Sequence, residues 1–454
     1  MNEAKNFLAR REPGILLPRR VRIVSLGLFL AAICSALIVS SVSFAQTEKL
    51  GPSNLASVEV TGSKRYASEQ IVPLLAMKAG TQVTREDFQA GADTLSKTGL
   101  FSNVHYKFST TPDGAKVTYE VSDAPTLLVV FDNFAWFADG DLNAAIKSDV
   151  ILYDGRAPEA GTILDRITES LGRFVLRRGV RGDVVHSVGS SPTTDQREIV
   201  FRVEGVELAV AAVEFSDNLA KTSRELQERM PDIVGKAYSR SAMETFEFEQ
   251  VRPIYLSAAR LRVKFPQVSA RLEGNPSDPN VARVVVVAPI EPGPAYALGA
   301  ITWSGNSAIP SDALGRLITL KPGGPADGMA IEAAWVRVAE AYEKIGYLDA
   351  KVDAKAEFDE KAARVSYSAA IAEGPQYRMG QLVLTGLSTE GERRIRNAWR
   401  IQPGTIFDQS IYEDFLANGI KEAFAGLPFH YDKIGRFLQK DPAAAKVDVL
   451  LDFQ

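Results

Sequence analysis

"GLFSNVHYKF" (Gly99–Phe108) marks the point where a helical pattern gives way to a strand pattern. Upstream, over residues 88–95, apolar residues recur at the three-to-four-residue spacing of one helix face. From Val104 to Phe108, apolar and polar residues alternate, which is the period of a half-buried strand. The stretch therefore predicts a helix that ends near glycine and is followed almost at once by a strand.

The same helix-to-strand junction recurs along the chain. Its central residues lie 80, 80, 87 and 80 positions apart, at Gly99, Gly179, Ala259, Gly346 and Gly426. Glycine suits this place because it adopts the left-handed conformation that ends many helices. With 454 residues in all, the chain is predicted to be a string of about 80-residue units rather than one core.

Each unit has the same internal order. A short strand ending in a turn, such as "VEVTGS" (58–63), is followed by a helix, a glycine-bearing loop and a second helix. The second helix ends at the junction, and two strands then form a hairpin. The residue that should cap the second helix has a side-chain oxygen in four units, at Thr84, Ser239, Asp327 and Asp408. The predicted order is strand, helix, helix, strand, strand.

Composition limits the classes of function. Apolar residues are 46% and charged residues 24%, as in folded globular proteins. The formal net charge is −4, which gives no support for nucleic-acid binding. The histidines His105, His186 and His430 fall in different units, so we expect no metal cluster. Nucleophile and phosphate-loop motifs are also absent from the sequence, and we expect no catalytic residue, no cofactor and no enzyme activity.

The N-terminus reads as an export signal. Arginines at 19, 20 and 22 precede an apolar run, Ile23–Val39, and small residues at 43 and 45 suit a cleavage site before Gln46. Residues 1–45 are therefore predicted to be a signal peptide. An uncleaved inner-membrane anchor is the alternative, because the run approaches the length that spans a bilayer. Cys34, the single cysteine, lies inside this run.

The unit resembles the POTRA (polypeptide-transport-associated) domain. The motifs that carry the resemblance are "VEVTGS", "AGTQVT" and "TGLFSNV" in the first unit, "ITWSGN", "PGGPAD" and "IGYLDAK" in the fourth, and "EGPQYRMGQLVLTG" (373–386) at the start of the fifth. The resemblance is weaker where Ala259 replaces the junction glycine and in the second unit, where "VVFDNFAWFADGDL" (129–142) replaces the simple first strand.

The resemblance implies an α+β fold: a tandem array of five small β-α-α-β-β domains, each a three-stranded mixed sheet with two helices on one face. The expected POTRA-like domains are 53–124, 125–205, 206–293, 294–375 and 376–454. Five in a row look like the periplasmic arm of the outer-membrane protein assembly factors. In that family a β-barrel follows the arm, but this sequence has no such series of alternating segments after the fifth unit, so barrel activity is not expected.

In POTRA domains the first strand of the C-terminal hairpin lies at a sheet edge, where an extended polypeptide could add as a further strand. The expected edges are 103–108, 183–188, 263–268, 352–358 and 429–433. The candidate polypeptide-binding residues are Val104, Tyr106, Phe108, Val184, His186, Val263, Phe265, Val352, Phe358, Phe429 and Tyr431. Alternatively, these strands only complete their own sheets, with charged residues such as Lys107 and Lys264 guarding the edges.

The second unit carries a separate candidate. Phe134, Trp136 and Phe137 crowd together beside Asp139 and Asp141. They are interpreted either as an exposed aromatic patch for an apolar partner segment or as core side chains just before a helix that starts at one of the aspartates.

The function implied is non-enzymatic. We expect a periplasmic array, associated with the outer membrane, that binds unfolded outer-membrane proteins or assembly components by strand addition. An inner-membrane-anchored scaffold joining envelope proteins and a truncated or split assembly factor are the alternatives. The sequence leaves the oligomeric state open.

Overall fold

A computed structural model describes residues 53–192, 194–274, 280–426 and 431–454 of the protein. The predicted signal peptide, residues 1–45, lies outside the described residues. Across the described residues the chain forms five small sheets, each combined with short helices, so the predicted α+β class is confirmed.

The first and second sheets each contain four strands. The elements of the first are β1 (Ser53–Thr61), α1 (Ser68–Ile71), β2 (Gln82–Val83), α2 (Arg85–Lys97), β3 (Phe101–Thr111) and β4 (Gly114–Asp123). Those of the second are β5 (Leu127–Phe131), α3 (Asp139–Asp149), β6 (Arg156–Ala157), α4 (Thr162–Arg177), β7 (Asp183–Ser190) and β8 (Arg197–Glu204).

The third sheet is accompanied by several short helices. Its elements are β9 (Glu207–Phe215), α5 (Asn218–Thr222), α6 (Arg224–Arg229), α7 (Arg240–Phe246), α8 (Arg252–Ser257), β10 (Ser269–Leu272) and β11 (Val281–Ala288). A π-helical segment, Glu247–Val251, joins α7 to α8.

The fourth and fifth sheets complete the chain. The fourth comprises β12 (Ala297–Ser304), α9 (Ser311–Leu317), α10 (Gly328–Glu343), β13 (Lys351–Asp359) and β14 (Arg364–Ala372). The fifth comprises β15 (Arg378–Thr385), α11 (Thr389–Ala398), α12 (Gln409–Asp414), α13 (Ile420–Ala423), β16 (Ile434–Asp441) and β17 (Lys446–Phe453), with a second π-helical segment at Phe415–Gly419.

All five sheets share one pairing rule. The first long strand pairs in parallel with the last strand, and the last two strands pair antiparallel as a hairpin. The last strand is therefore flanked on both sides, and the first strand of each hairpin, β3, β7, β10, β13 or β16, lies at the sheet edge. The hairpin strands thus take the places expected of them.

Three strands per sheet is correct for the third, fourth and fifth sheets only. In the first two, the residues after the glycine loop pair back with the first strand as β2 and β6. In the other three sheets the same contact is a single bridge: Ala209 with Ala237, Ala297 with Pro325, and Arg378 with Ile406. A strand cannot extend through Pro325, because proline has no N–H to donate.

The junction residues adopt the left-handed backbone conformation that was predicted for them. The four glycines have φ between 78° and 89°, and Ala259 adopts the same left-handed region at φ 60°. Three of the four predicted helix caps form, at Ser239, Asp327 and Asp408, whereas the Thr84 side chain accepts no capping hydrogen bond. The N–H groups of Ala242, Ala330 and Ser410 donate to the side chains of Ser239, Asp327 and Asp408, while the Thr84 N–H donates to Asp87.

The cores lie between each sheet and its helices. In β17, Val447, Val449, Leu451 and Phe453 are buried among helix residues such as Trp399, whereas the alternate residues lie on the opposite face. One face of the sheet is therefore packed, and the face away from the helices stays exposed.

Candidate functional site

The open edges of the five sheets are the first candidate surface. The third edge strand lies later in the sequence than expected: residues 263–268 form no strand, and β10 begins at Ser269. Pro266 explains the shift, since it cannot donate a hydrogen bond and biases the residue before it. Val263 and Phe265 therefore precede the edge strand and pack against the third core.

The fifth edge strand is also displaced, because it begins at Ile434. Tyr431 lies just before it and packs edge-on against Phe453, with ring centroids 5.6 Å apart. Phe429 lies outside the described residues. Residues 431–433 of the expected edge form no strand, and the edge strand is Ile434–Asp441.

The remaining candidate residues do lie on edge strands, but many of their side chains face their own core. Tyr106 and Phe108 on β3 contact the ring of Phe88, with centroids 6.2 and 5.6 Å apart. Val184 is buried, and Phe358 packs 4.9 Å from Tyr296. His186 lies over Phe201 at 5.7 Å, and Val352 packs in the fourth unit's core. Apart from the exposed His186, a partner at these edges would therefore meet backbone rather than these side chains.

The third sheet combines an open edge with a groove. A space of about 500 Å³ lies between residues 134–139 and β10, and all four residues of β10 line it. The Glu273 N–H donates to the Arg283 carbonyl at 2.7 Å, which fixes the phase of the ladder between β10 and β11. Since antiparallel partners alternate, the N–H and C=O groups of Ala270 and Leu272 point away from β11, toward the open edge.

The aromatic segment forms the other wall of this groove. Phe134 is buried against Phe131, with centroids 5.6 Å apart, so it belongs to the core. Trp136 is half-buried and packs against the third core. Phe137 is half-buried, lies 5.0 Å from Phe174 and has the Arg178 guanidinium over its ring. The segment is thus partly core and partly groove wall.

A partly buried ion pair holds the two walls together. Arg240, at the start of α7, donates two hydrogen bonds of 2.8 Å to Asp139, at the start of α3. Burial acts to lower the pKa of Arg240, but the hydrogen bonds and charge of Asp139 raise it above its usual value. Gln267 also donates to Asp139, at 2.8 Å. The groove therefore has fixed walls.

A second contact reinforces the same joint. Asp132, which follows β5, accepts hydrogen bonds from the Ser239 hydroxyl at 2.9 Å and from the Ser241 N–H at 3.0 Å. Its backbone carbonyl accepts from the Arg240 N–H. The start of α7 is thus anchored on the second sheet. These hydrogen bonds were not predicted from the sequence, because Asp132 and Ser239 lie more than 100 residues apart.

The site offers binding geometry rather than ligands for a metal. Within residues 53–454, as far as they are described, no three metal-ligating side chains come together. Separately, the described helices include none with the length and apolar character needed to cross a bilayer. What the groove offers is the outward N–H and C=O groups of two residues beside walls of mixed apolar and polar side chains, which suits an extended polypeptide.

Comparisons with known proteins agree with the motifs. Residues 296–374 match the POTRA family model, described as "Surface antigen variable number repeat". A Treponema pallidum protein named "Putative outer membrane protein assembly factor" is 20% identical over 220 residues, covering 47% of this chain and 26% of that protein. The chain thus spans about a quarter of that relative. These two matches confirm the predicted resemblance to POTRA domains and to an assembly factor.

Solved structures of related modules are similar to parts of the chain. Haemophilus influenzae BamA POTRA3-5 is 18% identical, with a TM-score of 0.44, and the match covers 55% of this chain and 98% of that one. The N-terminal domain of Omp85 from Thermosynechococcus elongatus is 15% identical, with a TM-score of 0.21, and the match covers 54% and 96%.

Proposed function

We propose that the protein is a non-enzymatic array of five POTRA-like domains, at 53–124, 125–205, 206–293, 294–375 and 376–454, that binds polypeptide. The family match at 296–374 and the recurrence of the same strand pairing in all five sheets support the division. The assembly-factor relative supports a role in outer-membrane protein assembly or translocation. In this role the array works in the periplasm, beside the outer membrane.

One observation carries the proposal: the backbone of Ala270 and Leu272 opens into the groove at the third edge. Outward N–H and C=O groups accept an added strand without reading its sequence. The half-buried Trp136 then favours an apolar side chain where the added strand passes it, while charged residues of the lining face the rest of the strand. This combination suits unfolded outer-membrane proteins and extended segments of assembly components.

The test is a binding measurement on the full chain with an unfolded, purified outer-membrane porin as the probe. Ala270→Pro removes one outward N–H, and proline is tolerated on edge strands. Since one backbone hydrogen bond contributes about 1 kcal/mol, we expect about fivefold weaker capture of the porin. Capture is read by photo-crosslinking from a probe residue placed at the exposed Ser269.

Arg436→Pro is the matched control. It removes an outward N–H from β16, an edge strand that lacks the aromatic groove wall. We expect it to leave capture from Ser269 unchanged. Equal loss in both variants, or no loss in Ala270→Pro, would contradict strand addition at the third edge.

A further inference from the structure

The exposed face of the fifth sheet carries an apolar row. Val383 on β15, Leu450 on β17 and Phe437 on β16 are register partners across all three strands. Val383 is 37% exposed and Phe437 is 58% exposed, while Leu450 between them is half-buried. These three residues, here named the outer row, lie on the face away from the helices, since their β17 neighbours Val449 and Leu451 are the buried ones.

The first and fourth sheets of the same chain are polar at this place. In the first sheet the equivalent register partners are Glu59, Thr118 and Lys107. In the fourth they are Thr302, Ser368 and Lys355. These strands share the Ser/Thr-Gly ending of β15, so the positions correspond directly. The fold therefore does not require apolar side chains here, and the fifth sheet differs in this respect from the first and the fourth.

The outer row is bordered by carboxylates. On one side, Thr385, Asp452 and Gly435 are register partners, and on the other Asp448 is paired with Gln439. Hydrogen bonds from Thr385 and Gln454 hold the pKa of Asp452 below its usual value. Asp448 has Lys446 at 3.4 Å, whereas among the described residues Asp452 has no cation within ion-pair distance.

The carboxylates beside the outer row and the direction in which it runs across the strands favour one kind of binding partner. A second copy packed face to face would bring carboxylates against carboxylates, which is unfavourable. A strand added at the open edge would reach Phe437 but not Val383, two strands away. Strands lie about 4.8 Å apart, so the row is about 10 Å long. Apolar residues at i and i+3 or i+4 of a helix rise about 4.5–6 Å, which matches this spacing.

We propose that the exposed face of the fifth sheet docks an amphipathic α-helix of a partner protein, with its apolar stripe along the outer row and a lysine or arginine beside Asp452. This surface lies on a different sheet from the groove at the third edge. Either proposal can therefore fail without the other.

The test uses the full chain and a synthetic probe helix of about 18 residues, long enough to be helical in isolation. The probe has a leucine stripe flanked by lysines, and its affinity is measured by fluorescence anisotropy. The variant V383T/L450S/F437K installs two of the fourth sheet's own polar side chains and its lysine in place of the outer row. We expect at least about tenfold weaker binding to this variant and about threefold weaker binding to Asp452→Asn.

Control measurements distinguish helix docking at the outer row from the alternatives. Lys355→Ala on the fourth sheet and Ala270→Pro on the third should leave probe binding unchanged, and thermal unfolding checks that each variant is folded. Equal binding of a glutamate-flanked probe, or of a proline-interrupted probe that cannot be helical, would overturn the proposal. So would unchanged binding to the triple variant, or concentration-dependent self-association that this variant abolishes.

Discussion

Besides Ala76, three alanines among the described residues adopt a backbone conformation that suits glycine. Ala259 at the third junction has φ 60°, and Ala363 and Ala445 have φ 46° and 50° in the turns of the last two hairpins. The left-handed region costs a residue with a Cβ about 1–2 kcal/mol. Ala259 is buried, whereas Ala363 and Ala445 are partly exposed. The same strain therefore has different consequences at the three positions.

Ala363→Gly is expected to stabilise the β13–β14 hairpin by about 0.5–1 kcal/mol, since relief of strain exceeds the added freedom of the unfolded chain. Amide hydrogen exchange in β13 and β14 should slow by about two- to fivefold. Ala259→Gly serves as the comparison. It relieves the same strain but loses a buried methyl group, so we expect little net change. Faster exchange in Ala363→Gly would contradict the account.

Glu247 is buried at the start of a π-helical segment, and its Oε1 has no hydrogen-bond partner among the described residues. Burial, with a smaller contribution from the charge of Glu244, raises its pKa from 4.5 to about 8. An acid whose pKa is raised on folding holds its proton more tightly in the folded state. Its effect on stability is therefore most favourable below pH 4.5, and stability is lost as pH rises from there toward 8.

We expect the local stability of α7 and α8 to fall by several kcal/mol, on the order of 3, between pH 5 and pH 8.5. Glu247→Gln should remove most of this dependence and slow exchange at pH 8.5. Hydrogen exchange on peptides covering 240–257, corrected for the intrinsic pH dependence, provides the measurement. A Glu247→Gln profile parallel to that of the unmodified protein would show that another group is responsible.

At the scale of elements, the joint between α3 and α7 depends on Arg240. Its side chain is only 8% exposed and pairs with Asp139 across the groove. Arg240→Ala leaves Asp139 without its cation in a partly buried place, at a cost of about 3 kcal/mol. Hydrogen exchange should rise in 134–139 and in β10. Arg224→Ala, which breaks the exposed pair with Glu228, is the control and should leave both segments unchanged.

Local patterns predicted most of the elements. The change from helix to strand periodicity at each junction depends only on neighbouring residues. So do the left-handed junction residues and the caps at Ser239, Asp327 and Asp408, and the structure has all of them. The later start of β10 could also have been predicted, from the position of Pro266. The groove was not, because residues 134–139 meet β10 through a joint formed by long-range contacts such as Asp132 with Ser239. Single-sequence patterns contain no signal for such pairs.

Across the molecule, the third, fourth and fifth units are joined in sequence by the same backbone hydrogen bond. Tyr296 and Tyr377, just before β12 and β15, donate their N–H groups to the carbonyls of the preceding junction residues Ala259 and Gly346. The Tyr377 hydroxyl also donates to Asp349 of the fourth unit at 2.5 Å. These bonds tie the fourth and fifth units together across the short stretch at residues 373–375.

Tyr377→Phe keeps the backbone bond and removes the bond to Asp349. We expect a broader distribution of distances between spin labels at Lys355 and Gln439, measured by pulsed electron spin resonance in a Cys34→Ser background. Tyr367→Phe, inside the core of the fourth unit, is the control and should leave the distribution unchanged. Equal widths in all three proteins would mean that the hydroxyl bond does not orient the joint.

The parallel pairing of first and last strands has a consequence for how the chain is made. Val58 pairs beside Val117, so the opening strand of this unit has no long partner until nearly all of the unit has been synthesised. Because the same order recurs in every sheet, a nascent chain completes its units one after another, and an incomplete unit exposes its first strand. A ribosome stalled before a final strand thus carries finished units followed by one incomplete unit whose first strand lacks its main partner.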